Sequence, residues 1–165
     1  MQMVCTALQK LIFGLTITSC CAVTALAQER YAPSSDSQEI VDGKSGLTWR
    51  RCAEGMTWKG KTCTGKPVFL NHADAVARAK GNATPDQDWR LPTMTELSGI
   101  VAVREAEEGK AAIDAAVFPA TPPARFWTST TVGAGYFMFV GFVEGSAGEG
   151  ARNSPGAVRL VRVGK

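Results

Sequence analysis

The chain has 165 residues, and its 18 Lys and Arg against 15 Asp and Glu give a formal net charge of +3. This near-neutral balance argues against a nucleic-acid partner, and the length fits one domain with a sizeable core. The sequence contains one His and no phosphate-cradle spacing in its glycine-rich segment, so neither a metal site nor a cofactor is expected.

The N-terminal segment, residues 1–27, has the features of an export signal. Lys10 is followed by an uncharged apolar run, and a small-x-small triplet ending at Ala27 precedes a polar stretch. The run is too short and wrongly flanked for a transmembrane span, so we expect cleavage after Ala27 and an exported protein, periplasmic or secreted. In an alternative interpretation, a lipoprotein box ending at Cys20 leaves a lipidated cysteine at the new N-terminus.

The mature chain begins with a polar stretch, residues 28–38, whose Pro and Ser content predicts a flexible lead. The folded domain is expected to occupy residues 39–165. It begins with two short strands around a turn at residues 42–46, and alternation along the second strand places Leu47 and Trp49 on one face.

Two cysteines, Cys52 and Cys63, remain after removal of the signal segment. Two thiols in an oxidising compartment predict one disulfide, and closing the loop between them stabilises the fold by about 3 kcal/mol in the chain-entropy model. A redox pair or half of a metal site is a weaker interpretation. The spacing differs from C-x-x-C, and His72 alone cannot complete a four-ligand zinc site with the two cysteines.

The stretch NHADAVARAKG, residues 71–81, predicts the first helix, with an Asn cap, good helix formers and a Gly stop. Its small apolar side chains should face the core. His72 falls in the first turn, where we expect a surface or capping residue without a catalytic role, since no exposed Ser or free Cys is visible to pair with it.

The stretch DWRLPTMTEL predicts a corner between an extended segment and a second helix. Pro92 favours an extended conformation before it, and Thr93 with Glu96 matches a T-x-x-E capping box, so a helix from Thr93 to Val103 is expected. Trp89 should enter the core while the charged neighbours bond one another or backbone carbonyls. An active site here would need a carboxylate pair or a nucleophile that the sequence does not supply. The predicted structural corner comprises Asp88, Trp89, Arg90, Pro92, Thr93 and Glu96.

Residues 104–125 predict a long surface excursion that Ile113 and Phe118 pin to the core. Three strands are expected to follow, over residues 125–132, 136–145 and 157–163. The middle strand is apolar on both faces, so it should be central and covered on both sides. Residues 145–156 should form a flexible connection between the last two strands.

The last predicted strand carries Arg159 and Arg162 on opposite faces, each among aliphatic side chains. Burial of a guanidinium group is costly unless its N–H groups are bonded. We therefore expect at least one of these arginines to be buried with a carboxylate or carbonyl partner.

These landmarks together resemble the Lcl C-terminal domain family, a bacterial exported module named after a collagen-like adhesin. The matching segments occur in the family's order and cover nearly the whole mature chain. They are VDGKSGLTWRRC (41–52), GMTWKGKTCTG (55–65), DWRLPTMTEL (88–97), AAIDAAVFPATPP (111–123), FWTSTT (126–131) and AVRLVR (157–162). The resemblance implies a compact α+β domain related to C-type-lectin-like folds, with two helices, small antiparallel β-sheets and one loop-closing disulfide.

The resemblance also bears on ligands. The adhesin after which the family is named is associated with binding sulfated glycosaminoglycans as a trimer. This chain has no G-x-y repeats of a collagen-like stalk, so its oligomeric state stays open. The E-P-N and W-N-D signatures of true C-type lectins are missing from the sequence, and calcium-dependent sugar binding is not expected.

Three classes of function remain. The leading one is an exported, non-enzymatic binding module for a polyanionic glycan or a cell-envelope partner. The alternative is a structural or assembly component of the envelope that uses the apolar strand at residues 136–143 as a protein interface. An enzyme is not expected, because no catalytic constellation is found. Basic residues that could contact sulfate, or form ordinary solvated surface, are Lys59, Lys61, Lys66, Arg125 and Arg152.

The predicted ligand contact lies in the cysteine loop, where Trp58 is flanked by Lys59 and Lys61. An aromatic platform beside cations suits sugar rings and sulfate groups, through stacking and charge-assisted hydrogen bonds. In the alternative interpretation, Trp58 folds back over the disulfide and forms a small satellite core.

Overall fold

The computed structural model describes residues 29–102 and 109–164, which form an α+β domain with antiparallel sheets. The predicted signal segment, the alternative anchor at Cys20 and residues 103–108 lie outside the described residues. The helices are α1 His72–Asn82 and α2 Met94–Ser98, and neither is long and apolar enough to span a membrane. The strands are β1 Tyr31–Pro33, β2 Glu39–Asp42, β3 Leu47–Arg50, β4 Met56–Trp58, β5 Cys63–Gly65, β6 Arg125–Gly133, β7 Tyr136–Gly141, β8 Ser146–Ala151 and β9 Val161–Val163.

The first sheet contains four strands in the order β1–β2–β3–β9, so the first and last described strands share one sheet. Its register pairs Ile40 with Trp49 and Thr48 with Arg162. Leu47 and Trp49 are buried, as the alternation predicts, and Thr48 between them is buried as well. Both faces of β3 are therefore covered.

Strand β1 lies within the segment predicted to be a flexible lead. Arg30, just before β1, makes a bidentate ion pair with the buried carboxylate of Asp42, at N···O distances of 2.9 and 2.7 Å. Burial opposes ionisation of Asp42, but bonds from Arg30, the Ser45 hydroxyl and the Lys44 N–H together hold its pKa below the ordinary value. Residues 31–33 thus form a paired strand within the segment that was expected to be a flexible lead. Composition alone does not reveal such backbone pairing.

The second sheet is a meander of three strands in the order β6–β7–β8, and β7 is central, as predicted. Strand β8 corrects the expectation of a flexible connection over residues 145–156. A Cβ at Gly148 would lie 2.7 Å from a ring carbon of Phe139, and one at Gly150 would lie 2.8 Å from a ring carbon of Trp127. The missing side chains let both rings lie against β8, so packing produces a strand that strand propensity disfavours.

The third predicted strand is shorter than expected, because only residues 161–163 form a strand, and they pair with β3 of the other sheet. Ala157 forms only an isolated parallel bridge with Phe126 of β6. The segment before residues 161–163 separates two hydrophobic clusters of the core. Ala157 and Val161 belong to the cluster that includes Trp49, Leu97, Phe118, Phe126 and Phe142. Val158 and Leu160 belong to the cluster that includes Ala75, Ala79, Trp89, Leu91 and Trp127. Alternation along an extended chain thus serves both halves of the core.

Helix α1 forms where the sequence predicts it. The Asn71 side chain caps it by accepting the Asp74 N–H at 2.9 Å, and the helix continues one residue past the expected Gly81 stop, to Asn82. Its buried face carries His72 with the alanines of the second cluster.

Helix α2 begins with the predicted capping box at Thr93 but ends at Ser98, well before the expected Val103. After the helix the chain pairs with a distant segment instead of continuing to coil. The Ala102 N–H donates to the Ala112 carbonyl at 3.0 Å, and Val101 bridges to Ile113. The tertiary partner therefore outweighs local helix propensity beyond Ser98.

Candidate functional site

Trp89 is the centre of the predicted corner and is only 1% exposed. Its indole N–H donates to the Gln87 side-chain oxygen at 3.1 Å. The guanidinium carbons of Arg50 and Arg162 lie 4.3 and 5.2 Å from the ring centroid, within cation–π range. Glu39 accepts a hydrogen bond from Arg162 at 2.7 Å and lies 3.8 Å from Arg50, so one carboxylate balances both cations.

The charged residues of the corner are tied to the start of α2. Arg90 makes a bidentate ion pair with Glu96, with both N···O distances at 2.8 Å, and also donates to the Leu91 carbonyl at 3.2 Å. Glu96 accepts the Thr93 N–H at 2.8 Å, and the bond from Arg90 is the main cause of its lowered pKa. The carboxylate that Arg90 binds is therefore that of Glu96 in the capping box, whereas the neighbouring Asp88 is exposed.

Arg159 is the buried arginine that the last strand predicts, at 1% exposure. It donates to the backbone carbonyls of Arg50 and Arg51 and to the Thr121 hydroxyl. The cation thereby joins the end of β3 to the segment before β6. Its role is structural, because neutral oxygens of the core accept the hydrogen bonds of its two terminal nitrogens.

His72 corrects the expectation of a surface or capping residue. It is buried, its Nε2 lies 2.9 Å from the Thr128 carbonyl oxygen, and its ring stacks on Phe137 with centroids 3.5 Å apart. Burial lowers its pKa, which favours the neutral ring. The available sequence signal was its spacing from Ala75 and Ala79, which places all three on one helix face.

The cysteine loop folds as a hairpin of β4 and β5, here called the cysteine hairpin (residues 56–65), and the predicted disulfide ties Cys63 of β5 to Cys52, which precedes the hairpin. Cys52 and Cys63 are bonded, with Cα atoms 5.6 Å apart. Trp58 pairs with Cys63 across the strands, on the same face, and is half-buried. This placement agrees with the satellite-core alternative for one side of the indole.

The Trp58 ring also carries a cation that sequence reasoning missed. The guanidinium carbon of Arg51 lies 3.7 Å from the ring centroid, and its N–H groups donate to the carbonyls of Val117 at 3.2 Å and Ser37 at 3.4 Å. Those bonds fix the guanidinium over the indole. The only available signal was its position directly before Cys52, the disulfide partner of Cys63.

The cysteine hairpin is locally basic. Lys59, Lys61 and Lys66 are exposed, and within residues 29–102 and 109–164 none of them forms an ion pair with a carboxylate. Lys59 and Lys61 lie in the turn of the hairpin, Lys66 follows β5, and Arg51 lies over the half-buried indole. The predicted contact residues Trp58, Lys59 and Lys61 thus lie in one hairpin, and the structure adds Arg51 to them.

Exposed apolar side chains occur at the ends of the meander. Val132 and Tyr136, at the turn between β6 and β7, are 46% and 52% exposed, and Val143 after β7 is 47% exposed. The expectation that the middle strand is covered on both sides therefore fails at its start, because the first residue of β7 lies at the rim of the sheet.

Comparison with known families identifies the domain. A family model for the Lcl C-terminal domain matches residues 38–162, and the chain therefore belongs to the Lcl C-terminal domain family. No curated protein and no solved structure shows a significant match to the chain.

Proposed function

Starting from membership of the Lcl C-terminal domain family, we propose that the protein is an exported, non-enzymatic binding module for a polyanionic glycan or a cell-envelope partner. The observation that supports this proposal is the cysteine hairpin, where Arg51 lies over Trp58 beside exposed Lys59 and Lys61. Sulfate and carboxylate groups of a glycan are the partners that such unpaired cations favour.

The hairpin suits an anionic glycan chain because it combines one cation held in place, Arg51, with exposed lysine side chains that can move. Arg51 is held by two backbone carbonyls and keeps further N–H groups for a ligand. The lysines are mobile point charges that adapt to irregular sulfate spacing. The disulfide holds the hairpin backbone, which lowers the entropic cost of binding.

The test is binding to immobilised heparin, a sulfated glycosaminoglycan, by a variant carrying Trp58→Ala, Lys59→Ala and Lys61→Ala. We expect the parent protein to bind in a salt-sensitive manner and the variant to bind at least about tenfold more weakly, because several charge-assisted contacts are lost. The variant should stay folded under the assay conditions, with a melting temperature lowered by roughly several degrees because Trp58→Ala removes a half-buried side chain.

A matched control removes two exposed lysines elsewhere, Lys44 in the β2–β3 turn and Lys80 on α1. The control with Lys44→Ala and Lys80→Ala loses the same net charge and should keep most of the binding. Equal losses in both variants would indicate a non-specific charge effect and contradict the hairpin proposal, as would a parent protein that does not bind.

We also propose that the domain is related to C-type-lectin-like folds. Its first and last described strands share one sheet, and two helices accompany small antiparallel sheets, which is compatible with that relationship. An experimental structure that superposes on a C-type-lectin-like domain with the same strand order would establish it, and a different strand order would refute it.

An envelope assembly role is the second candidate, and the exposed Val132 and Tyr136 favour it. In that case Tyr136→Ser should weaken retention of the protein in envelope fractions while heparin binding stays unchanged.

Export can be tested by sequencing the N-terminal residue of the recovered protein. Gln28 is expected after signal cleavage, and a lipidated Cys20 in the anchored alternative.

A further inference from the structure

A concave site lies beside the disulfide, between the segment that links β3 to β4 and the C-terminal end of α1. It is a pocket of about 220 Å³. Its polar lining comes from Gln38, Arg50, Glu54, Thr57 and Asn82, next to Cys52. The volume is below the range of about 300–1,000 Å³ that drug-sized ligands occupy, so the pocket fits one small unit.

Glu54 is the central group of this pocket. Its backbone is fully committed, because its N–H donates to the Val158 carbonyl and its own carbonyl accepts the Val68 N–H, each at 2.9 Å. The side chain is half-buried, and in the described parts of the chain it forms no ion pair. Burial raises the pKa of Glu54, although Arg78, Arg50 and a hydrogen bond from the Asn82 side chain act in the opposite direction. Glu54 thus lines the pocket from a fixed backbone, with a carboxyl group that forms no ion pair in the described residues and is bonded to Asn82.

The lining as a whole is neutral and rich in both donors and acceptors. One carboxyl group and one guanidinium group offset each other, and the two amides and the Thr57 hydroxyl add groups of both kinds. Because these two charges offset each other, neither a cationic nor an anionic ligand gains a net attraction from the lining. Sugar hydroxyls donate and accept at once, and planar carboxylate, amide and guanidinium groups can bond two of them together.

We propose that this pocket binds one neutral hexose unit of a glycan through its hydroxyl groups. Glu54 accepts hydrogen bonds from the sugar, Arg50 donates to it, and the amide of Gln38 does both. The Asn82 amide donates to the Arg78 carbonyl and to Glu54, so its oxygen accepts from the sugar. The hexose site is separate from the basic residues of the cysteine hairpin, and it rests on the proposed function only in assigning glycan binding to this domain.

Asn82 gives the bound sugar a direction in which to continue. It also lines a larger depression of about 540 Å³ along the outer face of α1, with Asp74 and Arg78. The small side chains of Ala77 and Gly81 keep that depression open. A glycan chain that places one hexose at Glu54 can therefore extend along α1 past alternating acidic and basic groups.

The test is an NMR titration of isotope-labelled protein with methyl glucoside, methyl galactoside, methyl mannoside and N-acetylglucosamine as separate probes. At least one should produce saturable shifts at the amides of Glu54, Thr57 and Asn82, without the salt dependence expected of the hairpin. Glu54→Gln should weaken that binding about tenfold or more, because it removes a charged acceptor while keeping the shape. Thr57→Val provides a second variant that removes one hydroxyl at an exposed position.

The control is Glu149→Gln on β8, an exposed carboxylate that is not part of the pocket lining, and it should leave binding unchanged. Absence of shifts at the pocket with all of the probes, or full affinity in both Glu54→Gln and Thr57→Val, would overturn the proposal. Hexose binding without heparin binding would retain the pocket and reject the hairpin. Heparin binding without hexose binding would do the reverse.

Discussion

The corner around Trp89 and the cysteine hairpin around Trp58 each place arginine over an indole, yet their surroundings differ. Trp89 is 1% exposed, and its two arginines share the carboxylate of Glu39. Trp58 is half-buried, and its arginine bonds only backbone carbonyls, beside lysines that have no carboxylate partner in the described residues. The same residue types therefore serve stability in one region and leave charge available in the other.

The acids decide this difference. Around the corner, Glu39 and Glu96 take up the charges of three arginines. On the hairpin, residues 56–65 contain two lysines and no acid. Cations that are already paired gain little from an external anion, whereas unpaired exposed cations can exchange solvent for one. An aromatic residue with basic neighbours is thus a candidate contact only where the acids are missing.

The largest expected effect separates the two tryptophans. Trp89→Ala should lower the free energy of unfolding by about 3–5 kcal/mol, because it empties a filled site in the second cluster. Trp58→Ala should cost only about 1–2 kcal/mol, since part of the indole already meets solvent. Denaturant unfolding of both variants measures the difference. Equal losses would show that the hairpin indole is also a core residue, and the comparison between the regions would fail.

The disulfide provides the next effect. Replacing both Cys52 and Cys63 by Ser should lower the free energy of unfolding by about 3 kcal/mol, and protection from hydrogen exchange should be lost first in the hairpin. The corner around Trp89 should keep its protection until global unfolding. Its packing does not depend on the Cys52–Cys63 disulfide, so removal of the disulfide leaves the corner intact. In the native, unreduced protein neither cysteine should react with an alkylating reagent. Alkylation of both would contradict the assignment.

The smallest effect concerns pH. Glu96→Gln should cost about 1 kcal/mol at neutral pH, because it weakens the capping box and the ion pair with Arg90. The folded-state pKa of Glu96 is lowered, mainly by the bond from Arg90. Its stabilisation is therefore present above the unfolded pKa of about 4.3 and is lost as pH falls through the lower folded value.

Thermal melts across that range should show the stability difference between parent and Glu96→Gln shrinking with acid. The variant with Lys59→Ala and Lys61→Ala should show no such change relative to the parent, because these lysines have no carboxylate partner in the described structure. A pH-dependent difference for the lysine variant would reveal a pairing of the hairpin cations and blur the distinction between the two regions.

Features whose partners are close in sequence were predictable. The capping box joins Thr93 to Glu96, the cap of α1 joins Asn71 to Asp74, and the disulfide closes a separation of 11 residues. The predicted length of α2 was wrong, because the chain after Ser98 pairs through Ala102 with Ala112 and the helix ends early. Strand β8 was missed, because its glycines are needed only where the Phe139 and Trp127 rings of neighbouring strands pack against it.

The candidate site was predictable in part. Trp58, Lys59 and Lys61 stand together in the sequence, so their grouping needed no fold. Arg51 lies over the indole only in the folded domain, and the pocket around Glu54 combines residues from Gln38, just before β2, to Asn82 at the end of α1. Side chains that converge from several elements give no local pattern to detect.

The sequence by itself determined the local geometry of this domain: the helix starts, the corner and the loop that a disulfide closes. These depend on contacts a few residues apart, which backbone preferences and side-chain chemistry specify. The tertiary structure alone decided which polar residues are buried and which charges stay free. His72 finds its carbonyl partner 56 residues away, and Arg162 its carboxylate 123 residues away, because only packing sets the distance between such groups.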